Sequence, residues 1–356
     1  MGQVAIRRRG TSHAFARFIA RRAILSVFVV FGVVVVTFFL SNVIPADPAA
    51  LWAGPQARPE EVARIREKFH LNDPLPIRFY YYVAALVTGD LGTSIATHRP
   101  VIADLLDFLP ATLELILAAM VIAIVVGIPL GVISGIRERS WVDHLVRFLA
   151  IGGVSLPAFW LAVVLELVFV NKLGWLPVEG RYTDSLAIAT SFREVTGFVV
   201  LDALLQGNPS VFFDGLIHLI LPAVTLAAYP VGLVARMVRA MMIEVLGENY
   251  IRTAKAYGLP ARLIHYRYAL KNAIGPAIVA LGLSFAFSLT GAFLIENIFS
   301  WNGLGQYAWD SSLASDYPAI LGVALVVAIV YVVVNLIVDI VQSVLDPRVV
   351  LAREAS

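Results

Sequence analysis

Apolar positions in this chain gather into six long runs, Ala23 to Ile44, Thr112 to Gly135, Leu145 to Val170, Leu216 to Val234, Ala277 to Ile298 and Ile320 to Leu345, each with at most two charges. Runs of this length and polarity predict membrane-crossing helices. Six crossings put both termini on one side, and the expected fold class is an all-α polytopic membrane protein with six transmembrane helices. The first run follows an Arg-rich start, as in a cleaved signal peptide. Its 22 residues, however, reach roughly 33 Å at 1.5 Å each, a full bilayer crossing. It is expected to remain as the first transmembrane helix, residues 23–44, behind a tail of residues 1–22.

The polar stretches between the runs carry their own signals. Residues 45–111 are too many for a bare connection and predict a small external subdomain. Within it Glu60 to Phe69 reads as a short helix opened by Pro59, and Asn72 to Pro76 as a turn. Val195 to Leu205 is apolar but about eleven residues long and contains Asp202, so the segment 187–210 suits an interfacial or re-entrant piece better than a crossing. Gly127, Gly131 and Gly135 repeat every four residues, which admits the close approach of another helix, in this chain or in a second subunit. Pro222 and Pro230 are expected to bend the fourth run.

Composition agrees with a chain dissolved mostly in lipid: 59% of residues are hydrophobic and 15% charged, where soluble domains carry about a quarter charged. The net charge of +2 is too small to suggest a nucleic-acid partner, so the placement of charge matters more than its sum. Eighteen of the 27 Lys and Arg residues fall before Ala23, between Ile136 and Arg147, in residues 235–276, or after the sixth run. That excess predicts that both termini are cytoplasmic. With no cysteine in the chain there is no disulfide, thiolate metal site or thiol chemistry.

The densest basic segment is Met241 to Pro276, with Arg236 and Arg239 just before it. Tyr250, Ala254 and Tyr257 recur at i, i+4 and i+7 and predict a short helix from about Gly247 with one apolar face, while Arg252 and Lys255 point elsewhere. Gly258 can end it and Pro260 prevents its continuation. Two helical turns are marginal alone, so a partner's groove is expected to hold them.

The run Tyr250, Ile251, Arg252, Thr253, Ala254, Lys255, Ala256, Tyr257, Gly258, Leu259, followed by Ala269, Leu270, Lys271, Asn272, Ala273 and Pro276, resembles the cytoplasmic coupling loop of ATP-binding-cassette importer permeases. It is most similar to the first permease subunit of dipeptide and oligopeptide importers. Arg252 and Leu270-Lys271 stand where the broader family pattern has Glu and Leu-Pro, and Ala46 where the peptide permeases usually have Gly. Further similarity lies in Pro45-Ala46-Asp47-Pro48, Leu71-Asn72-Asp73-Pro74-Leu75-Pro76, Gly89 to Ser94, Gly174 to Arg181, Trp301-Asn302-Gly303-Leu304-Gly305, Asp316-Tyr317-Pro318 and Leu345-Asp346-Pro347-Arg348.

The resemblance implies a type I importer permease fold. It divides the chain into an external subdomain 45–111, a transmembrane domain 112–345 with coupling loop 235–276, and a cytoplasmic tail 346–356. It also implies a complex with a second homologous permease, two ATPase subunits carrying ATP and Mg, and an external binding protein that delivers peptide. Another small solute of the same family, such as nickel, glutathione or an oligosaccharide, remains an alternative cargo.

Glu114, Glu166, Glu296 and Asp339 are acids inside the runs, where a charge must face protein or water. The first three fall near the outer ends, where they either line the mouth of a pathway and meet a substrate's amino group or hydrogen-bond neighbouring helices. By the resemblance, Trp301, Asn302, Gly303 and Asp316 belong to an outer loop over the pathway, while as aromatic and polar residues they equally suit an interface belt. His144, His218 and His265 are isolated and suggest no metal site. Lys68, Lys172, Lys255 and Lys271 are the only lysines and none follows a glycine, so the phosphate-cradling Gly-Lys of an ATPase is missing and any ATP is bound by another chain. A stand-alone secondary transporter or channel, or a scaffold that only anchors an ATPase, is the rival from another class.

Overall fold

The computed structural model describes residues 2–43, 49, 57–68, 72–177 and 179–345. Pro45-Ala46-Asp47-Pro48, Phe69, Leu71, Val178 and Asp346-Pro347-Arg348 with the rest of the tail lie outside the described residues. The described elements are helical: α1 (Gly2–Val43), α2 (Pro59–Lys68), α3 (Leu75–Val87), α4 (Val101–Ile136), α5 (Trp141–Ser155), α6 (Ala158–Lys172), α7 (Asp184–Ala189), α8 (Val199–Leu205), α9 (Pro209–Leu246), α10 (Asn249–Ala256), α11 (residues 261–273), α12 (Gly275–Ile298), α13 (Leu304–Leu313) and α14 (Tyr317–Leu345). Five of them, α1, α4, α9, α12 and α14, are long and apolar enough to cross a membrane, and α5 with α6 makes a sixth when counted as one broken span.

Several boundaries differ from the sequence pattern for identifiable reasons. The third run is not one rod: α5 and α6 meet at an angle of 106°. Pro157 has no N–H to donate, and the extended backbone at Leu156 breaks the ladder just before it. The second helix begins at Val101 rather than Thr112, because Pro110 sits inside it without ending it. The fourth run also grows, to 38 residues, and continues without interruption through Pro222, Pro230 and the basic positions Arg236 and Arg239. Helix α3 went unread in the sequence, hidden by its length of 13 residues and its three consecutive tyrosines.

The chain forms two compact units. One comprises residues 110–306 with the described ends of α1 before Ile24 and of α14 from Val333; the other comprises residues 24–109 and 307–332. In the first unit α9 is the central rod. Along α4, Gly127 lies against Val231 and Val234, Gly131 against Ala235 and Val238, and Gly135 against Arg239 and Met242. Both sets of numbers ascend together, so the two helices run parallel. The glycine repeat is therefore a seam within this chain, with backbone approach that no Cβ would allow: one on Gly131 would sit 2.6 Å from Val238.

Helix α5 packs on another side of α9. Gly153 meets Ala228 and Gly232 meets Ala150, and with Asp143 on Arg239 these pairs make α5 antiparallel to α9. Loop 137–140 and α10 thus lie at the same end of this unit. Asp339 of α14 pairs with Arg22 of α1 at 3.0 Å.

The second unit joins α3 to α1 through Phe38 and Phe79, with ring centroids 5.1 Å apart. It also holds α14 close to α4, where a Cβ on Gly322 would meet Val101. Asp316 caps α14, accepting from Ala319 N at 3.2 Å, and binds the turn before α4 by accepting from Ser94 Oγ and Ala96 N. Asp104 accepts from Thr97 and Tyr307 hydroxyls and pairs with Arg99 at 3.1 Å. Burial and the adjacent Asp104 push the Tyr307 phenol well above its ordinary value, so it acts as a donor.

Candidate functional site

Both polar assemblies of functional interest in the first unit are built on α9 or the helices packed on it. At the end carrying loop 137–140, α10 is seated on the chain itself. Ile251 is fully buried and Ala254 nearly so, in one apolar cluster with Met242, Val245, Ile264, Ala269, Ala273 and Ala277. This corrects the expected face: Ala254 turns inward beside Ile251, while Tyr250 and Tyr257 stay exposed, at 41% and 82%. It also removes the need for a partner to hold the helix, since its own chain supplies the groove.

What remains outward is a continuous surface of Tyr250, Arg252, Thr253, Lys255, Ala256, Tyr257 and Gly258. Gly258 takes φ +71°, and its N–H bonds back to Lys255 while Leu259 N bonds to Ala254 O, a left-handed helix stop that glycine adopts without strain. Asn272 fastens the surface from below, donating to Tyr250 Oη at 2.8 Å and to Tyr268 O at 3.1 Å. His265, partly buried and near Lys255, has its pKa lowered, so it is neutral at neutral pH.

Beside it Asp143 is a buried hub. Arg239 donates to its two carboxylate oxygens at 2.6 and 2.8 Å, Ser134 Oγ to one of them, and Arg139 N to the other at 3.0 Å. Ser140 caps α5 by accepting from Asp143 N. One carboxylate thereby ties α4, loop 137–140, α5 and α9 together.

The second assembly sits at the opposite end. Glu296, wholly buried in α12, accepts from Thr112 Oγ1, from Gly305 N at 2.7 Å and from Gln306 N at 3.3 Å, placing its carboxylate on the first turn of α13. Thr112 in turn accepts from Leu304 N, and Trp301 donates its indole N–H to Ala111 O at 2.9 Å. Arg181 lies 5.8 Å from the Trp301 ring and donates to Glu114 at 2.7 Å, to Glu194 at 3.2 Å and to Gly197 O. Glu114 also accepts from Val200 N. Tyr182 nearby is pushed up to about 12 by burial and by Glu194, and so keeps its proton.

Of the two alternatives for these acids, hydrogen bonding to neighbouring elements describes Glu114 and Glu296, whose carboxylates accept from donors of their own chain and hold loop 299–306 and α8 in place. Trp301 and Gly303 are buried parts of the same lock; Asn302 is exposed, at φ +51°. Asp316 belongs to the second unit, buried under its own donors. Asp202 at Val195 to Leu205 folds that segment back, accepting from the amides of Val195, Thr196 and Gly197, and α8 spans only Val199–Leu205.

Glu166 stands apart. Half-buried on α6, it lies on the stripe of the buried Ala162 and Val170, about a quarter turn from the exposed Val163 and Leu167, and accepts no hydrogen bond or ion pair from any described residue. A π-helical stretch, Glu166–Lys172, starts at this residue. Nothing in a lone loop arginine signals that Glu114, 67 residues away, and Glu194 converge on Arg181.

Glycine is obligatory at two points of the lock. A Cβ on Gly303 would fall on the Glu296 carboxylate, and one on Gly305 would come within 2.5 Å of Phe293 Cα. Gly303→Ala and Gly305→Ala are expected to cost about 1–3 kcal/mol each, read as a lower melting temperature of the purified protein. Gly152→Ala, with open space around it in α5, should leave the melt unchanged or raise it.

Comparison with known proteins gives a consistent picture. Residues 127–351 match the family model described as binding-protein-dependent transport system inner membrane component, and residues 15–116 match the N-terminal model of the same systems. The chain is 50% identical over 323 residues to a probable D,D-dipeptide transport system permease protein of Escherichia coli, covering 91% of this chain and 94% of that one. It is 40% identical to a dipeptide transport system permease protein of Alkalihalophilus pseudofirmus, covering 92% and 98%. An oligopeptide transport system permease protein of Bacillus subtilis is 33% identical, with 94% and 99% covered.

Proposed function

The chain belongs to the family of binding-protein-dependent transport system inner membrane components, and on that premise we propose how its parts divide the work of moving peptides across a membrane. It is a multi-pass permease subunit of an ATP-driven importer, without an ATPase site of its own, and its cargo is di- or oligopeptide. An ATPase and a substrate-binding protein are its partners by family membership. The complete assembly, in our reading, adds a second homologous permease and two ATPase subunits that hold ATP and Mg, with both termini of this chain in the cytoplasm.

The observation that carries the mechanism is the division of α10 into an inward half and an outward half. Tyr250, Arg252, Thr253, Lys255, Ala256, Tyr257 and Gly258 present a basic and aromatic surface to the ATPase, while Ile251 and Ala254 fasten the helix to the end of α9. Helix α9 is one rod of 38 residues, about 57 Å long, against which α4, α5, α6 and α12 pack. Closure of the ATPases displaces α10, and a rod with close glycine seams passes that displacement on rather than absorbing it. The pathway then alternates between two states of access. Loop 299–306, with Trp301, Asn302 and Gly303, and the Asp316 turn form outer elements of the pathway.

Purification in mild detergent tests this directly. ATPase subunits should co-isolate, and proteoliposomes supplied with binding protein and dipeptide should accumulate peptide only with ATP inside the reaction. Uptake without ATP would make the chain a stand-alone transporter; ATPases without uptake would make it a scaffold.

Within the pathway we assign the substrate's α-ammonium to Glu166. A carboxylate in a spanning helix must face protein or water, and this one is half-buried beside Ala162 and Val170, unengaged by any described residue, at the start of a π-helical stretch of the kind frequent at functional sites. Glu166→Gln should lower peptide uptake at least about tenfold, a loss near 1.4 kcal/mol, while leaving co-isolation of the ATPases and the melting temperature unchanged. Unaltered uptake in that variant would exclude the role.

A further inference from the structure

Helix α3 belongs to the stretch between the first and second spans, yet its surface is wrong for water. Ile77, Tyr80, Ala84 and Val87 recur at i, i+3, i+7 and i+10 on one exposed stripe, with Ile77 45%, Tyr80 69% and Val87 82% exposed. The one charged residue of the helix, Arg78, lies off that stripe. A helix packed on a water-facing domain has the opposite arrangement, polar outward and apolar inward. Here the inward side is apolar too, since Phe79 sits at 5.1 Å from Phe38 and 6.3 Å from Phe31, and Tyr82 shares a hydrogen bond with Thr37 at 3.2 Å.

Those partners fix its depth. The apolar window of α1 is Ile19–Leu40. Phe38 lies two residues before its end, about 3 Å, and Phe31 nine residues before it, about 13 Å. Phe79 bridges the two, so α3 runs beside the half of α1 that leads to the point where the chain leaves the bilayer. At 13 residues, about 20 Å, it is too short to cross.

We propose that α3 is embedded in the leaflet where α1 emerges, with lipid acyl chains covering the stripe of Ile77, Tyr80, Ala84 and Val87. Continuity argues for lipid as the occupant: the α1 surface one turn before the contact with α3, with Val27 68% and Phe28 67% exposed, is the lipid face of a spanning helix, and the stripe extends that face sideways. The segment 45–111 is then not wholly external. Part of it is a half-inserted helix that widens the first span within one leaflet.

The chain has no cysteine, so single labels can be introduced without background. Spin labels at Tyr80→Cys, Ala84→Cys and Val87→Cys, in the full chain reconstituted into bilayers with cysteine-free partner subunits, are read by collision with oxygen and with a water-soluble nickel chelate. Phe28→Cys serves as the lipid reference and Glu60→Cys as the water reference. The expected result is loss of nickel-chelate collisions relative to Glu60→Cys, with oxygen collisions matching Phe28→Cys. Nickel collisions equal to the water reference would return α3 to the aqueous phase, and low collisions with both reagents would put a protein partner there; either overturns the proposal.

Discussion

Arg239→Ala is expected to destabilise the protein by roughly 3–5 kcal/mol, because it strands the Asp143 carboxylate in the interior. Asp143 has no exposed surface, and Arg239 supplies two of its donors at 2.6 and 2.8 Å. Ser134 and the Arg139 amide remain, but two neutral donors do not neutralise a buried anion, and Arg147 stands 3.7 Å away with 44% of its side chain in water. The loss falls toward the lower end of the range, since the Arg239 side chain is itself 20% exposed and water can enter where it stood. Asp143→Asn should cost less, because it removes the charge that Arg239 leaves unpaired. The double variant Asp143→Asn, Arg239→Ala should be more stable than the two single losses added together; thermal melts of all four proteins give the coupling, and strict additivity would mean that the pair is not a unit. Loop 137–140 and α5 are fastened to α9 by this contact, so peptide moved per ATP should fall in Arg239→Ala even at temperatures where the protein is folded.

That hub was not legible in the letters, whereas the spans were. Long uncharged runs have one meaning in a bilayer, and Gly127, Gly131 and Gly135 announced a helix seam by spacing alone, though not that the facing helix was α9. Asp143 sits at the third position of a capped helix, where an acid is ordinary; only the antiparallel docking of α5 on α9 brings Arg239 to it across 96 residues of sequence. The same holds for Glu114 and Arg181, 67 residues apart. Long-range ion pairs leave no local periodicity, and acids that look alike on a hydropathy plot diverge once their partners are known: Glu296 ends as a cap on α13, while Glu166 accepts from none of the described residues.

The short basic helix shows the opposite error. Its existence and its glycine stop follow from Gly258 and Pro260, but the side that carries its buried face does not follow from the apolar periodicity. Tyr250, Ala254 and Tyr257 share a helical spacing, as do Ile251 and Ala254, and periodicity cannot decide between two overlapping stripes. Tertiary packing does, because a β-branched aliphatic fills a core at less cost than a tyrosine whose hydroxyl needs a partner.

Substitutions on the two sides of α10 should therefore fail in different ways. Ile251→Asp puts a carboxylate into the cluster of Met242, Val245, Ile264 and Ala273, where no donor awaits it, at a cost of several kcal/mol. The expected outcome is loss of the folded coupling loop, seen as rapid proteolysis between α9 and α12, with transport and ATPase binding lost together. Tyr257→Ala removes a side chain that is 82% exposed and should leave the melting temperature within about 0.5 kcal/mol of the parent. With α10 as the proposed contact with the ATPase, hydrolysis should continue while peptide uptake drops. Gly258→Asp combines both faults in small measure, placing a side chain at φ +71° for about 1–2 kcal/mol and a negative charge in a basic surface. Uptake that persists in Tyr257→Ala and Gly258→Asp, with ATPase activity still tied to it, would move the mechanical contact away from α10 altogether.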